Sequence, residues 1–127
     1  MSRPRLLFVD DEPDILELLA LMFADCETRA TLNVESAIGI LGEQCFDLIV
    51  SDIKMPGASG LTLLDFIKTV WPALPVVIIT GHYCARPAAE NPGIYRCVRK
   101  PFTKQIIRDE VFAALAAATS AKAAGTR

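Results

Sequence analysis

The sequence has no long apolar run, no block of like charge and a single histidine. Its first apolar stretch, residues 6–9, ends at two aspartates and is too short for a signal peptide or a membrane span. A formal net charge of −2 gives no electrostatic footprint for nucleic acid or an anionic membrane, so neither is expected as a direct partner. Cys26, Cys45, Cys84 and Cys97 lie far apart and form no C-x-x-C pair, and only His82 is available to complete a zinc set. Free, mostly buried thiols in a reducing cytoplasm are the expectation.

What remains is ample apolar material. Hydrophobic residues make up 52% of 127 positions, enough for one continuous core without metal or disulfide support. Short apolar runs alternate with segments of helical period, the pattern of βα units that build a parallel sheet. Strands are expected at residues 5–9, 28–32, 46–51, 75–79 and 95–99, the last shorter and more polar, as suits an edge. Pro13 opens a helix in which Ile15, Leu18, Leu19, Met22 and Phe23 recur on one face. Ala37, Ile40 and Leu41 mark a short second helix, weakened by Gly39 at about 1 kcal/mol. Residues 54–60 read as a loop in which Ser59 can cap a helix carrying Leu61, Leu64, Ile67 and Trp71. Thr103 precedes a last helix with Ile107, Val111, Ala114 and Leu115 on one face. The expected domain spans residues 4–118, with 119–127 a flexible tail or the start of a linker.

In such a sheet, ligands bind outside the carboxyl ends of the strands, near the point where strand order reverses. Asp10 and Asp11 end the first strand, Asp52 the third, Thr80 the fourth and Lys100 the fifth. Taken singly, the Asp10-Asp11 pair reads as helix-capping acid, Thr80 as a turn residue and Lys100 as a surface charge. Together they put three carboxylates at one sheet edge, where mutual repulsion calls for a divalent cation. An all-oxygen ligand set suits Mg²⁺, or Mn²⁺, better than zinc. Such an ion neutralises charge as phosphorus is attacked, Lys100 offers a point cation, Thr80 a donor, and Asp52 is the best-placed carboxylate nucleophile. His82 reads as a loop histidine outside this set.

Four blocks, Phe8-Val9-Asp10-Asp11-Glu12-Pro13, Ser51-Asp52-Ile53-Lys54-Met55-Pro56-Gly57, Thr80-Gly81-His82 and Arg99-Lys100-Pro101-Phe102, resemble the signature blocks of response-regulator receiver domains in order and approximate spacing. The resemblance implies a flavodoxin-like, doubly wound α/β fold with five parallel strands in the order 2-1-3-4-5. It further implies that Asp52 is the phosphoacceptor and that Asp11 ligates Mg²⁺ directly. Asp10 would act largely through water, and the Lys54 backbone carbonyl would be a third protein ligand. Thr80 matches the switch hydroxyl and Lys100 the phosphate-pairing lysine, followed by a cis bond to Pro101. The implied phosphodonor partner is a sensor histidine kinase or a histidine phosphotransfer protein. Output falls to another protein or to an output domain elsewhere, and homodimerisation is a further implied option.

The chain also departs from that family. Thr80 and Lys100 are separated by only 20 positions, and residues 85–93 carry two prolines. Since proline in a helix interior costs about 3 kcal/mol, the fourth helix is expected to be short, distorted or absent. Cys97 stands where an aromatic switch residue is frequent, with Tyr95 two residues earlier, so Tyr95 is expected not to make the usual inward swing. The leading expectation is a Mg²⁺-dependent signalling switch rather than an enzyme acting on a free metabolite. The alternative is a degenerate receiver serving as a phosphorylation-independent interaction module. An aspartyl-nucleophile hydrolase is disfavoured because Lys54 replaces the second acid expected two residues after Asp52, and a flavodoxin because Asp10-Asp11-Glu12 replaces its phosphate loop.

Overall fold

The computed structural model describes residues 3–53, 60–81 and 95–125. Strands β1 (Arg5–Val9), β2 (Glu27–Thr31), β3 (Leu48–Asp52), β4 (Val76–Thr80) and β5 (Tyr95–Arg99) alternate with helices α1 (Pro13–Met22), α2 (Val34–Glu43) and α3 (Gly60–Val70), and α4 (Lys104–Gly125) follows β5. All strand pairs are parallel and the order is β2-β1-β3-β4-β5, the flavodoxin-like order expected. The order reverses at β1, whose neighbours β2 and β3 lie on opposite sides, so a crevice opens at the carboxyl ends of β1 and β3.

The central strands are apolar on both faces because helices cover both. Successive side chains point to opposite sides. Leu7, Val9, Ile49, Val76 and Ile78 therefore pack with Val34, Ala37, Ile40, Leu63, Leu64 and Ile67 of α2 and α3. Leu6, Phe8, Leu48, Val50, Val77 and Ile79 pack instead with Leu16, Leu19, Ile107, Val111 and Ala114 of α1 and α4. Burying each such side chain contributes about 1.5–3 kcal/mol, which anchors strand ends that would otherwise be unable to hold buried charge. Edge strand β2 has Thr28, Arg29 and Ala30 exposed, which accounts for its weak apolar pattern.

Local signals set the helix ends. Pro13 occupies the first turn of α1. Asn33, which the periodicity does not mark, caps α2 by accepting a hydrogen bond from Ser36 N at 2.8 Å. Thr103 Oγ1 accepts from Ile106 N at 3.1 Å and caps α4. Gly39 does not end α2, because Val34, Ala37, Ile40 and Leu41 bury one face of it.

Three expectations are corrected or bounded. Leu18 is exposed and Leu16 takes its place in the core, because the helix rotates to present Leu16, Leu19 and Phe23 inward. Cys26 is free and buried and Cys45 free but exposed, whereas Cys97 is disulfide-bonded, a pairing that wide sequence separation does not reveal. The expected fourth-helix distortion, the Ser59 cap and the loop role of His82 fall outside the described residues. Among the described residues, no helix is long and apolar enough to cross a membrane.

Candidate functional site

Asp10 lies just beyond β1 and is fully buried. Its backbone N–H donates to Thr31 O at 3.2 Å, and its Oδ1 accepts from Glu12 N at 2.8 Å. Asp52 is the last residue of β3 and Thr80 the last of β4, each almost fully buried, so the apolar sheet delivers two polar side chains to its rim. The Ser51 hydroxyl donates to Asp52 O at 3.0 Å, and Ile53 N donates to Ile79 O at 3.2 Å, which holds β3 against β4 through the site.

Lys100 follows β5 directly. Its backbone N–H donates to Thr80 O at 2.7 Å, and the bond to Pro101 is cis, as the resemblance implies. The Lys100 ammonium then reaches back across β4. Nζ lies 3.1 Å from Asp52 Oδ2, 3.2 Å from Glu12 Oε1 and 3.3 Å from Asp10 Oδ2. Partial burial pulls the Lys100 pKa down, but the Asp52 hydrogen bond, the charges of Asp10 and Asp52 and the Glu12 hydrogen bond outweigh it and hold the amine above its ordinary value. Asp10 is pushed above the usual carboxylate range, chiefly by burial and further by the charge of Asp52, against the opposing pull of the Glu12 N–H and of Lys100.

Asp10, Asp11, Glu12 and Asp52 each offer a carboxylate oxygen, and these four atoms lie within 4.8 Å of one another. Asp10 Oδ2 is buried and is met by the Lys100 ammonium at 3.3 Å without a well-formed hydrogen bond. Among the described residues four carboxylates gather at one ammonium, a balance that favours a further positive charge. The donors are hard oxygens, which fit Mg²⁺ or Mn²⁺.

The structure thus brings together Asp10, Asp11, Asp52, Thr80 and Lys100, five of the six residues singled out from sequence. The sixth, Lys54, lies outside the described residues, as does the Tyr95 side chain. Glu12 is the residue sequence reasoning missed. It sits beside the acidic pair, but its pairing with Lys100 spans 88 positions and leaves no local signal.

The profile of the response regulator receiver domain family matches residues 6–112. The chain is 36% identical over 119 residues to response regulator protein PilR of Pseudomonas aeruginosa, covering 91% of this chain and 27% of that protein. It is 38% identical over 103 residues to the nitrogen assimilation regulatory protein NtrX of Azorhizobium caulinodans, covering 76% and 23%. It thus spans about a quarter of the length of these relatives. The receiver domain of NtrX from Brucella abortus superposes with a TM-score of 0.78 at 36% identity, over 87% of this chain and 98% of that one. A doubly wound sheet, an acidic rim sharing one lysine and a family match across most of the sequence agree: the chain belongs to the response-regulator receiver domains of two-component signalling.

Proposed function

We propose that this receiver is a signalling switch that accepts a phosphoryl group on Asp52 in a Mg²⁺-dependent reaction. The observation that carries the reading is the Lys100 ammonium placed 3.1 Å from Asp52 Oδ2 within a set of four carboxylates. An Asp52 oxygen attacks phosphorus and forms an O–P bond. The donor's bond to phosphorus breaks, and the leaving group departs with the electron pair. Lys100 pairs with the transferred phosphoryl oxygens and the Thr80 hydroxyl donates to one of them. Mg²⁺, or Mn²⁺, held by Asp10, Asp11, Asp52 and the Lys54 carbonyl, would supply charge neutralisation at the reacting oxygens. Water later hydrolyses the acyl phosphate, so the chemistry is limited to self-phosphorylation and self-dephosphorylation.

The phosphodonor in this reading is a sensor histidine kinase or a histidine phosphotransfer protein, in the cytoplasm. The phosphorylated state biases a pre-existing conformational equilibrium that an output protein or an output domain reads, with homodimerisation as one mode. Residues 4–118 form the receiver unit, a boundary supported by the buried Ala118 and the exposed Thr119 that follows it. Residues 119–127 begin a linker or tail, with the helix reaching Gly125.

Intact-mass measurement after incubation with Mg²⁺ and a small phosphodonor tests the reading. The parent chain gains one phosphoryl mass and Asp52→Asn gains none. An unmodified parent, or an equal gain in the variant, overturns it in favour of a phosphorylation-independent interaction module.

A further inference from the structure

Glu12 is the N-cap residue of α1, yet its side chain makes no capping hydrogen bond. Its backbone N–H is held by Asp10 Oδ1 at 2.8 Å, and its carboxylate reaches Lys100 Nζ at 3.2 Å. Lys100 has three N–H donors and three carboxylates lie within 3.3 Å of its nitrogen, so an entering anion must displace one of them. They differ in their freedom to leave. The side chains of Asp10 and Asp52 are 0% and 7% exposed, so either would stay buried after losing this ion pair if Lys100 turned away, whereas Glu12 is 61% exposed and can rotate into water.

We infer that Glu12 is a positioning residue that holds Lys100 in the phosphoryl-free chain and yields it when a phosphoryl group enters. This inference rests on the reading of Asp52 as phosphoacceptor. Glu12 adds a negative charge at the rim and engages one Lys100 donor that an incoming anion needs. It therefore favours cations at the site and disfavours tetrahedral anions. Removing the charge moves the two affinities in opposite directions, which a purely structural role at the start of α1 would not do.

The test uses two probes on the whole chain: Mn²⁺ alone, followed by electron paramagnetic resonance, and beryllium fluoride at saturating Mg²⁺, followed by nuclear magnetic resonance. Glu12→Gln is expected to weaken Mn²⁺ binding and to tighten beryllium fluoride binding, each on the order of two- to fivefold for a screened, exposed charge. Both changes should shrink in high salt. Glu12→Asp keeps the charge but loses the reach to Lys100, and should retain most of the Mn²⁺ affinity while still tightening beryllium fluoride binding. Glu17→Gln, an equal charge change on the exposed side of the same helix, should move neither. If Glu12→Gln leaves anion affinity unchanged or lower, or if Glu12→Asp matches the parent with both probes, the inference is overturned, even where the parent gains its phosphoryl mass at Asp52. A parent that binds neither probe and takes no phosphoryl mass removes the functional reading, and this inference with it.

Discussion

Two clusters in this molecule each gather carboxylate and cation, and they are balanced in opposite ways. At the carboxyl rim of the sheet, one ammonium faces the carboxylates of Asp10, Glu12 and Asp52, two of them buried. Between α1 and α4, the Arg108 guanidinium is matched one to one with Asp25, through Nη1–Oδ1 at 2.9 Å and Nη2–Oδ2 at 3.0 Å. Arg108 also donates to Met22 O at 3.0 Å and lies 5.4 Å from the Phe23 ring centre and 4.9 Å from that of Phe112. Charge in this second cluster is matched one to one by a bidentate fork, so it ties two helices together. Among the described residues the rim cluster carries surplus negative charge, which makes it receptive. Unequal charge within a preorganised shell, rather than the presence of ion pairs, separates the functional cluster from the structural one.

The largest test of that contrast is Lys100→Met. Loss of the ammonium that faces Asp10, Glu12 and Asp52 should slow phosphorylation by a small donor on the order of 10²- to 10³-fold, read from the rate of mass gain. Mn²⁺ binding should persist, and its loss would mean that Lys100 organises the rim rather than serving the reaction. Next, Asp10→Asn keeps the acceptor for Glu12 N but removes a buried charge. Mn²⁺ affinity should fall about 10- to 100-fold, while the metal-free chain gains about 1 kcal/mol in denaturant unfolding. A loss of stability would show that Lys100 fully compensates Asp10.

Arg108→Ala should destabilise the fold by about 1–2 kcal/mol, through lost stacking on Phe23 and Phe112, and leave Mn²⁺ affinity unchanged. A change at the rim would show that the two clusters are coupled. The smallest effect concerns acid unfolding. The Arg108 hydrogen bonds lower the Asp25 pKa from 3.8 to about 2, so its stabilising contribution is present above the unfolded value and is lost as pH falls from there toward 2. Asp25→Asn should therefore flatten that part of the stability curve and leave the neutral region almost parallel to the parent's, with solvent screening keeping the difference small.

Much of the fold was legible because burial writes itself into period. Runs such as residues 48–50 and 76–79 are apolar without alternation, as strands covered on both faces must be, and polar residues at their ends marked the rim. The helix from Pro13 was legible in type but not in rotation. Leu16 and Leu18 are equally apolar, and only packing against Phe8 and its neighbours decides which is buried.

The sequence by itself determined the alternation of strands and helices, the parallel class of the sheet, and the delivery of Asp10, Asp52, Thr80 and Lys100 to strand ends, since each follows from local periodicity and from where apolar runs stop. Only the tertiary structure decided that Glu12 shares Lys100 with Asp10 and Asp52, that Arg108 is spent on Asp25, and that Cys97 is oxidised rather than free. Those outcomes depend on contacts between residues as much as 88 positions apart, where geometry and charge balance act and local pattern carries no signal.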